Sequence, residues 1–136
     1  MEHSITVTDH DYEKLLQCLQ DARYSANVPS TAITKLGDEL KKAVKVPSKK
    51  VTTNVVTMNS RVAIEDLGSK REFELTIVYP SNANIAEKRV SVLAPIGTAL
   101  LGYTEGSIVE WEMPNGIKKL LIKKILYQPE ANGSEE

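Results

Sequence analysis

Histidine and cysteine are nearly missing from these 136 residues: there are two His, both within the first ten positions, and one Cys. The single Cys18 excludes an internal disulfide framework and fits a reducing compartment. It reads as an ordinarily packed helix residue, with a free reactive thiol as the alternative. His3 and His10 alone are a poor foundation for acid–base catalysis. No C-x-x-C or H-x-x-x-H spacing, no G-x-x-x-x-G-K-[ST] phosphate loop and no G-x-G-x-x-G occurs. No catalytic residue, metal site or cofactor is therefore expected. Aromatics are scarce too, with one Trp, one Phe and five Tyr; Trp111 and Phe73 sit at strand positions where core packing is the simpler reading than a ligand pocket. Charge of one sign is missing: 17 basic residues face 18 acidic ones for a net charge of −1. This excludes a bulk nucleic-acid binder, so any contact with DNA must be local or run through a partner. No apolar run approaches the ~18 residues of a membrane span, and Met1–Val7 lacks a basic-then-apolar export signal. A cytoplasmic protein without membrane contact is expected.

What is present divides into a helical part and a strand part. Ile5-Thr6-Val7 can be a short extended piece, after which Thr8 or Asp9 can cap a helix with Asp11 and Glu13 in its first turn. Tyr12, Leu15, Leu16, Leu19 and Ala22 then form an apolar stripe at helical spacing. Ser25, Asn27 and Pro29 break it, and a second stripe follows at Ile33, Leu36, Leu40, Ala43 and Val44, capped by Ser30 or Thr31. Two such helices joined by a short turn predict an antiparallel helical hairpin over residues 1–46. At 1.5 Å per residue the arm is only ~20 Å long. Gly37 inside the second helix either costs about 1 kcal/mol against Ala or lets the two helices approach closely.

Five lysines and no acid lie between Lys41 and Lys50, around Pro47-Ser48, so a linker is placed at 47–53. The lysines read either as a patch for phosphate or an acidic partner, or, more simply, as a solvated helix end. From Asn54 the period becomes two. Val56, Met58, Val62 and Ile64 share one face of a predicted strand, and a turn follows at Asp66 to Ser69. Phe73, Leu75, Ile77 and Tyr79 alternate with Glu72, Glu74 and Thr76 in the clearest half-buried strand of the chain. After a loop at 80–84, Arg89 to Leu93 reads as a strand. It feeds the stretch Ser91-Val92-Leu93-Ala94-Pro95-Ile96-Gly97-Thr98-Ala99-Leu100-Leu101-Gly102. Pro95 suits the first helical position, Gly102 suits a left-handed residue beyond the helix end, and Ile96, Ala99 and Leu100 share one face. Val109, Trp111 and Met113 mark another strand, Pro114-Asn115-Gly116 a hairpin turn, and Ile117 to Tyr127 a last strand whose phase slips at Lys123-Lys124, where a bulge would restore it. Gln128 to Glu136 has the composition of a frayed end, with the domain bounded at 54–130 and a flexible tail at 131–136. Asp38-Glu39 and Glu65-Asp66 read as solvated surface acids. The class is α+β.

The stretch from Ser91 to Gly102, then Glu105-Gly106-Ser107, then Trp111-Glu112-Met113-Pro114-Asn115-Gly116, resembles the C-terminal domain of the Gre transcript-cleavage factors of bacterial RNA polymerase. Asn54-Val55-Val56-Thr57-Met58-Asn59-Ser60-Arg61-Val62, with Val78-Tyr79-Pro80 and Tyr127-Gln128-Pro129-Glu130, resembles the branch of that family named as regulators of nucleoside diphosphate kinase. The similarity runs from about residue 5 to 130.

This resemblance implies an FKBP-like antiparallel β half-barrel wrapped around the short helix, preceded by a coiled-coil hairpin shorter than that of the Gre factors. It further implies RNA polymerase as partner, with docking on the rim of the secondary channel through the loop entering the central helix, here Leu93, Ala94, Pro95 and Ile96. Where Gre sequences often carry an acid and Ser before the Pro, this chain has Leu93-Ala94, which shifts the expected contact toward apolar packing. The Gre hairpin tip bears neighbouring acids that help hold a second Mg²⁺ at the polymerase active site. Here the tip residues are Asp21, Arg23, Tyr24 and Asn27, with Asp21 a lone acid beside a cation. The implied function is a polymerase-binding transcription regulator without cleavage activity, not an enzyme, and in competition with longer Gre-type factors; a monomer is expected, although the apolar stripes of so short a hairpin leave dimerisation open. Two alternatives stand beside it: a peptidyl-prolyl isomerase, suggested by the FKBP-like fold but unsupported by a cluster of aromatics, and a module acting directly on nucleoside diphosphate kinase.

Overall fold

A computed structural model describes residues 5–24, 28–113 and 116–129. Strand β1 (Thr6–Thr8) runs straight into helix α1 (Asp9–Arg23). Thr8 is extended and its Oγ1 accepts the Asp11 N–H at 3.0 Å, the expected N-cap, with Asp9 and Asp11 favourably placed in the first turn. Leu15, Cys18, Leu19 and Ala22 form the buried face; Leu16, read into that stripe, is exposed, because the positions i, i+3, i+4 and i+7 from Leu15 exclude it. Helix α2 (Ser30–Lys42) has Pro29 at its cap position and no side-chain cap, so neither Ser30 nor Thr31 serves as predicted.

The second helix ends earlier than expected. Val44 leaves the helix for β2 (Val44–Val46), which pairs in parallel with β1 from Thr6↔Val44 to Thr8↔Val46, and the Val44 side chain is exposed. Extended backbone suits its β-branched side chain better than another helical turn. A Cβ at Gly37 would lie 3.9 Å from Leu19 Cδ1, an ordinary contact, so the helices do not need a glycine to approach there.

The remaining chain builds β3 (Arg61–Asp66), β4 (Arg71–Val78), β5 (Arg89–Ser91), helix α3 (Pro95–Leu100), β6 (Ile108–Met113) and β7 (Gly116–Tyr127). These strands form one curled half-barrel sheet in the order β5-β4-β3-β7-β6. Where the resemblance implies a wholly antiparallel half-barrel, β5 instead joins β4 in parallel, Thr76↔Arg89 to Val78↔Ser91. The connection between them makes two short 3₁₀ turns, and Lys88 adopts a left-handed conformation (φ 61°), after which β5 runs in the same direction as its neighbour along the last three residues of β4.

Residues 54–60 form no continuous strand either. Val55 bridges Thr104, then the chain turns with Asn59 at φ 66°, the Ser60 hydroxyl accepting the Thr57 N–H at 3.0 Å. Val56, Met58, Val62 and Ile64 are nevertheless all buried, because the turn resets the alternation before β3 begins. On β7, Lys123 and Leu126 are skipped in the pairing with β3, which places one bulge where the phase slip predicted it and a second beyond. β6 and β7 pair as a hairpin from Ile108↔Leu121 to Met113↔Gly116; the predicted turn residues Pro114 and Asn115 lie outside the described residues.

Two readings of polar residues are corrected. Asp66 is buried rather than solvated, its Oδ1 accepting the N–H groups of Gly68 (2.9 Å) and Ser69 (3.3 Å) while Lys118 donates to Oδ2 at 3.1 Å. Gln128, read as the start of a frayed end, is also buried, and its Nε2 donates to the carbonyls of Thr52 (2.9 Å) and Val55 (2.8 Å).

Helix α3 starts at Pro95 and stops before Gly102, whose φ of +84° is the left-handed conformation anticipated. Gly102 is also a crossing point. Its N–H donates to the Val56 carbonyl at 2.8 Å, its carbonyl accepts from Thr6 N–H at 3.1 Å, and a Cβ there would collide with Ile5. Helices and sheet thus share one apolar core, in which Ile5, Leu15 and Leu36 pack in the same cluster as Met58, Ile64, Leu100 and Ile122.

Candidate docking surface

The segment linking β5 to α3 is held by local hydrogen bonds. The Val92 N–H donates to the Val78 carbonyl (2.9 Å), the Leu93 N–H to the Ser91 hydroxyl (3.0 Å), and the Ala94 N–H to the Ser91 carbonyl (3.0 Å). The Thr98 hydroxyl closes the loop onto the Val92 carbonyl at 2.6 Å. This fixes four side chains at different depths: Leu93 is 7% exposed and Ile96 9%, Ala94 is half-buried, and Pro95 stands out from the corner.

Two adjoining grooves flank Leu93. One, of about 360 Å³, lies between α1 and the start of the β4–β5 connection, lined by Lys14, Cys18, Asp21 and Ala22 on one side and Tyr79, Pro80 and Ser81 on the other. The second, of about 480 Å³, lies between the first turns of α2 and the β5–α3 segment, lined by Val28, Ala32 and Lys35 against Leu93, Ala94 and Pro95. Val28, Pro80 and Leu93 line both.

The predicted tip residues separate. Asp21 faces the first groove, where Gln17 Nε2 donates to its Oδ1 at 3.0 Å, so this acid near the end of α1 shares a groove with Leu93 of the β5–α3 segment. Arg23 and Tyr24 are exposed at the end of α1, Tyr24 at 93%, and neither lines a groove; Asn27 lies outside the described residues. Sequence reasoning missed Lys14, Val28 and Ala32, which reach the loop only through tertiary packing. Tyr79-Pro80 stands in the sequence only as part of the motif that carries the resemblance. Tyr79 receives the Lys14 ammonium over its ring, 4.9 Å from the centroid, a contact of the cation–π kind.

Burial, and secondarily the negative charge of Asp21, raise the Cys18 thiol above its ordinary pKa. Among the described residues no group of three His, Cys, Asp or Glu side chains converges as a metal site would require, and no helix is long and apolar enough to cross a membrane. The first groove carries one aromatic side chain, Tyr79, and the second none. The surface around Leu93 thus offers apolar contact with charged rims.

A half-barrel sheet closed by a Pro-started helix, entered from two packed helices, is the architecture of the Gre-type transcription factors. The family model described as "Transcription elongation factor, GreA/GreB, C-term" matches residues 36–127, and the chain belongs to this family. It is 34% identical over 131 residues to the regulator of nucleoside diphosphate kinase of Escherichia coli K12, covering 96% of this chain and 94% of that protein. It is 38% identical over 93 residues to the transcription elongation factor GreA of Clostridioides difficile, covering 68% of this chain but only 58% of the relative. The solved structure of a GreA/GreB transcription elongation factor from Nitrosomonas europaea superposes with a TM-score of 0.74 at 33% identity over 93% of this chain and all of that one. A structure of the transcription factor Gfh1 shares the fold at a TM-score of 0.52 and 24% identity.

Proposed function

We propose that this chain is a cytoplasmic regulator that binds RNA polymerase at the rim of the secondary channel and competes there with Gre-type factors without stimulating transcript cleavage. In this reading α1 and α2 form a short helical hairpin ahead of an FKBP-like domain that begins near residue 54, and the protein acts as a monomer. The observation that carries it is the disposition of Asp21. It is the single acid at the end of α1, it is tied to Gln17 and it faces the groove beside Leu93, whereas a tip that delivers Mg²⁺ needs clustered hard oxygen ligands. Docking falls to Leu93, Ala94, Pro95 and Ile96, with exposed Pro95 leading.

The test is binding to core RNA polymerase of the same host, with a Gre factor as competitor, Pro95→Asp as the weakened variant, and a transcript-cleavage assay on backtracked complexes. Binding that the Gre factor displaces, with no cleavage, is expected. Cleavage above background, or no binding at micromolar concentration, would sink the reading. A second reading is favoured by the name of the relative in E. coli, a direct contact with nucleoside diphosphate kinase. A pull-down that recovers the kinase and no polymerase subunit would put it first. Prolyl isomerase activity has no such observation behind it, since Tyr79 is the lone aromatic around the two grooves.

A further inference from the structure

We propose that β1 is a strap that holds the two helices at one angle over the sheet and so sets the width of the two grooves beside Leu93. The strap acts whatever binds there. The chain passes from the helical part to the sheet through residues 47–53 alone, and units joined by a single connection reorient unless their interface prevents it. Apolar packing between helices and sheet is non-directional, so the angle is set by the hydrogen bonds and close contacts of the seam. These converge on residues 5–8. The Ile5 carbonyl accepts the Val44 N–H at 2.8 Å, which ties β1 to the strand that leaves α2. On the other side the Thr6 N–H donates to the Gly102 carbonyl at 3.1 Å, and Gly102, just beyond α3, donates to the Val56 carbonyl at 2.8 Å. Thr8, the last residue of β1, caps α1. Ile5 and Val7 are buried, and a Cβ at Gly102 would collide with Ile5 and stand 3.1 Å from both Thr6 N and Thr6 O. One turn into α1, the Asp11 carboxylate makes a second buried tie to the sheet domain by accepting the Met58 N–H at 3.1 Å.

The far ends of the helices lie over open space instead. Asp21 and Ala22 of the last turn of α1 stand across about 360 Å³ from Tyr79, Pro80 and Ser81, and Val28, Pro29 and Ala32 across about 480 Å³ from Leu93, Ala94 and Pro95. That volume gives the helices room to swing once the base is released. Because the start of α1 and the end of α2 both meet β1, a rotation there is magnified along the helices. A tilt of about 10° at the base moves the far end of the 15-residue α1 by about 4 Å, the scale of a side chain and enough to remodel either groove. The grooves are therefore kept in shape by a three-residue strand at the opposite end of the helices.

The experiment places nitroxide labels at Tyr24→Cys and Asn82→Cys in the full chain, both exposed and outside the groove linings, with Cys18→Ala so that no other thiol is present. Pulsed electron paramagnetic resonance then reads the distance between the end of α1 and the β4–β5 connection. One narrow distribution is expected for this parent, with the Thr6 amide protected from hydrogen exchange as strongly as the amides of β3. Thr6→Pro removes the N–H bonded to Gly102, and Gly102→Ala drives a methyl group against Ile5. Each should widen the distribution by about twofold or add a second distance, while Trp111 fluorescence and a cooperative melt show the sheet intact. A parent distribution that is already broad, or a Thr6 amide that exchanges far faster than β3, would show that no strap holds the helices. Unchanged distributions in both variants would assign the angle to apolar packing and overturn the proposal. Loss of the sheet fold in both variants would also overturn it, because β1 would then belong to the folding core and not act as a separable strap.

Discussion

Two glycines inside helices predict opposite responses to the same substitution. Intrinsic helix propensity favours Ala over Gly by up to about 1 kcal/mol at an interior position. At Gly37 nothing opposes this, since a Cβ would lie 3.9 Å from Leu19 Cδ1. Gly37→Ala should stabilise the chain by about 0.5–1 kcal/mol. At Gly97 the same methyl group would be driven inside van der Waals contact of the Ser91 carbonyl oxygen and within 3.0 Å of Val92 Cα and 3.1 Å of the Ser91 carbonyl carbon. These are backbone atoms that cannot rotate away. Ser91 is in register with Val78 in the sheet, its carbonyl accepts from Ala94, and Val92 N–H is bonded to Val78. Relief must come from shifting β5 against α3, an overpacking cost of about 1–3 kcal/mol or more. After the propensity gain, a net loss of about 1 kcal/mol or more remains for Gly97→Ala. Equilibrium urea unfolding followed by circular dichroism and Trp111 fluorescence separates the cases. The Gly97→Ala midpoint should fall by on the order of 1 M at unchanged m-value, while that of Gly37→Ala rises. A Gly97→Ala midpoint equal to or above the parent's would refute the packing argument and leave propensity as the controlling term.

Asp11→Ala removes the carboxylate that accepts Met58 N–H at 3.1 Å in a buried site, leaving that amide without this acceptor; a loss of about 2–3 kcal/mol is expected, with Asp11→Asn retaining part, read by urea unfolding and by exchange of the Met58 amide. The Lys118 hydrogen bond, assisted by the Ser69 and Gly68 N–H groups, holds the Asp66 carboxyl below the usual carboxylate range. Its stabilisation is therefore complete above the ordinary Asp value and is lost as pH falls through the lowered folded value, so Asp66→Asn should flatten the acid limb of a plot of melting temperature against pH. An unchanged acid limb would show that other carboxylates dominate. Gln128→Ala should lower stability by about 1–3 kcal/mol in a thermal melt, because the carbonyls of Thr52 and Val55 both lose the Nε2 donor.

The parts of this fold legible in the sequence are those whose cause is local. The stripe through Leu15, Leu19 and Ala22, the alternation of Leu75 and Ile77, and the Pro95-to-Gly102 punctuation each satisfy a backbone rule within one element, and each is found where it was read. The departures share a different cause, in that the partner of the deciding group lies elsewhere in the chain. Residues 54–60 carry an alternating apolar pattern, yet the Met58 amide finds the Asp11 carboxylate, 47 residues away, rather than a ladder partner. Val44 continues a helical stripe, but its N–H finds the Ile5 carbonyl at 2.8 Å. Gln128 looks like the beginning of a tail until it spans 76 and 73 residues to Thr52 and Val55. The candidate surface follows the same logic. Leu93 to Ile96 stand out only through the resemblance to the Gre factors, since the local pattern marks no more than a Pro-started helix. Ala32 and Lys35 do not stand out at all, since nothing in an amphipathic helix says which exposed positions border a loop some sixty residues away. Periodicity identifies the face that must be buried, whereas a recognition surface is assembled from the positions that periodicity leaves unconstrained.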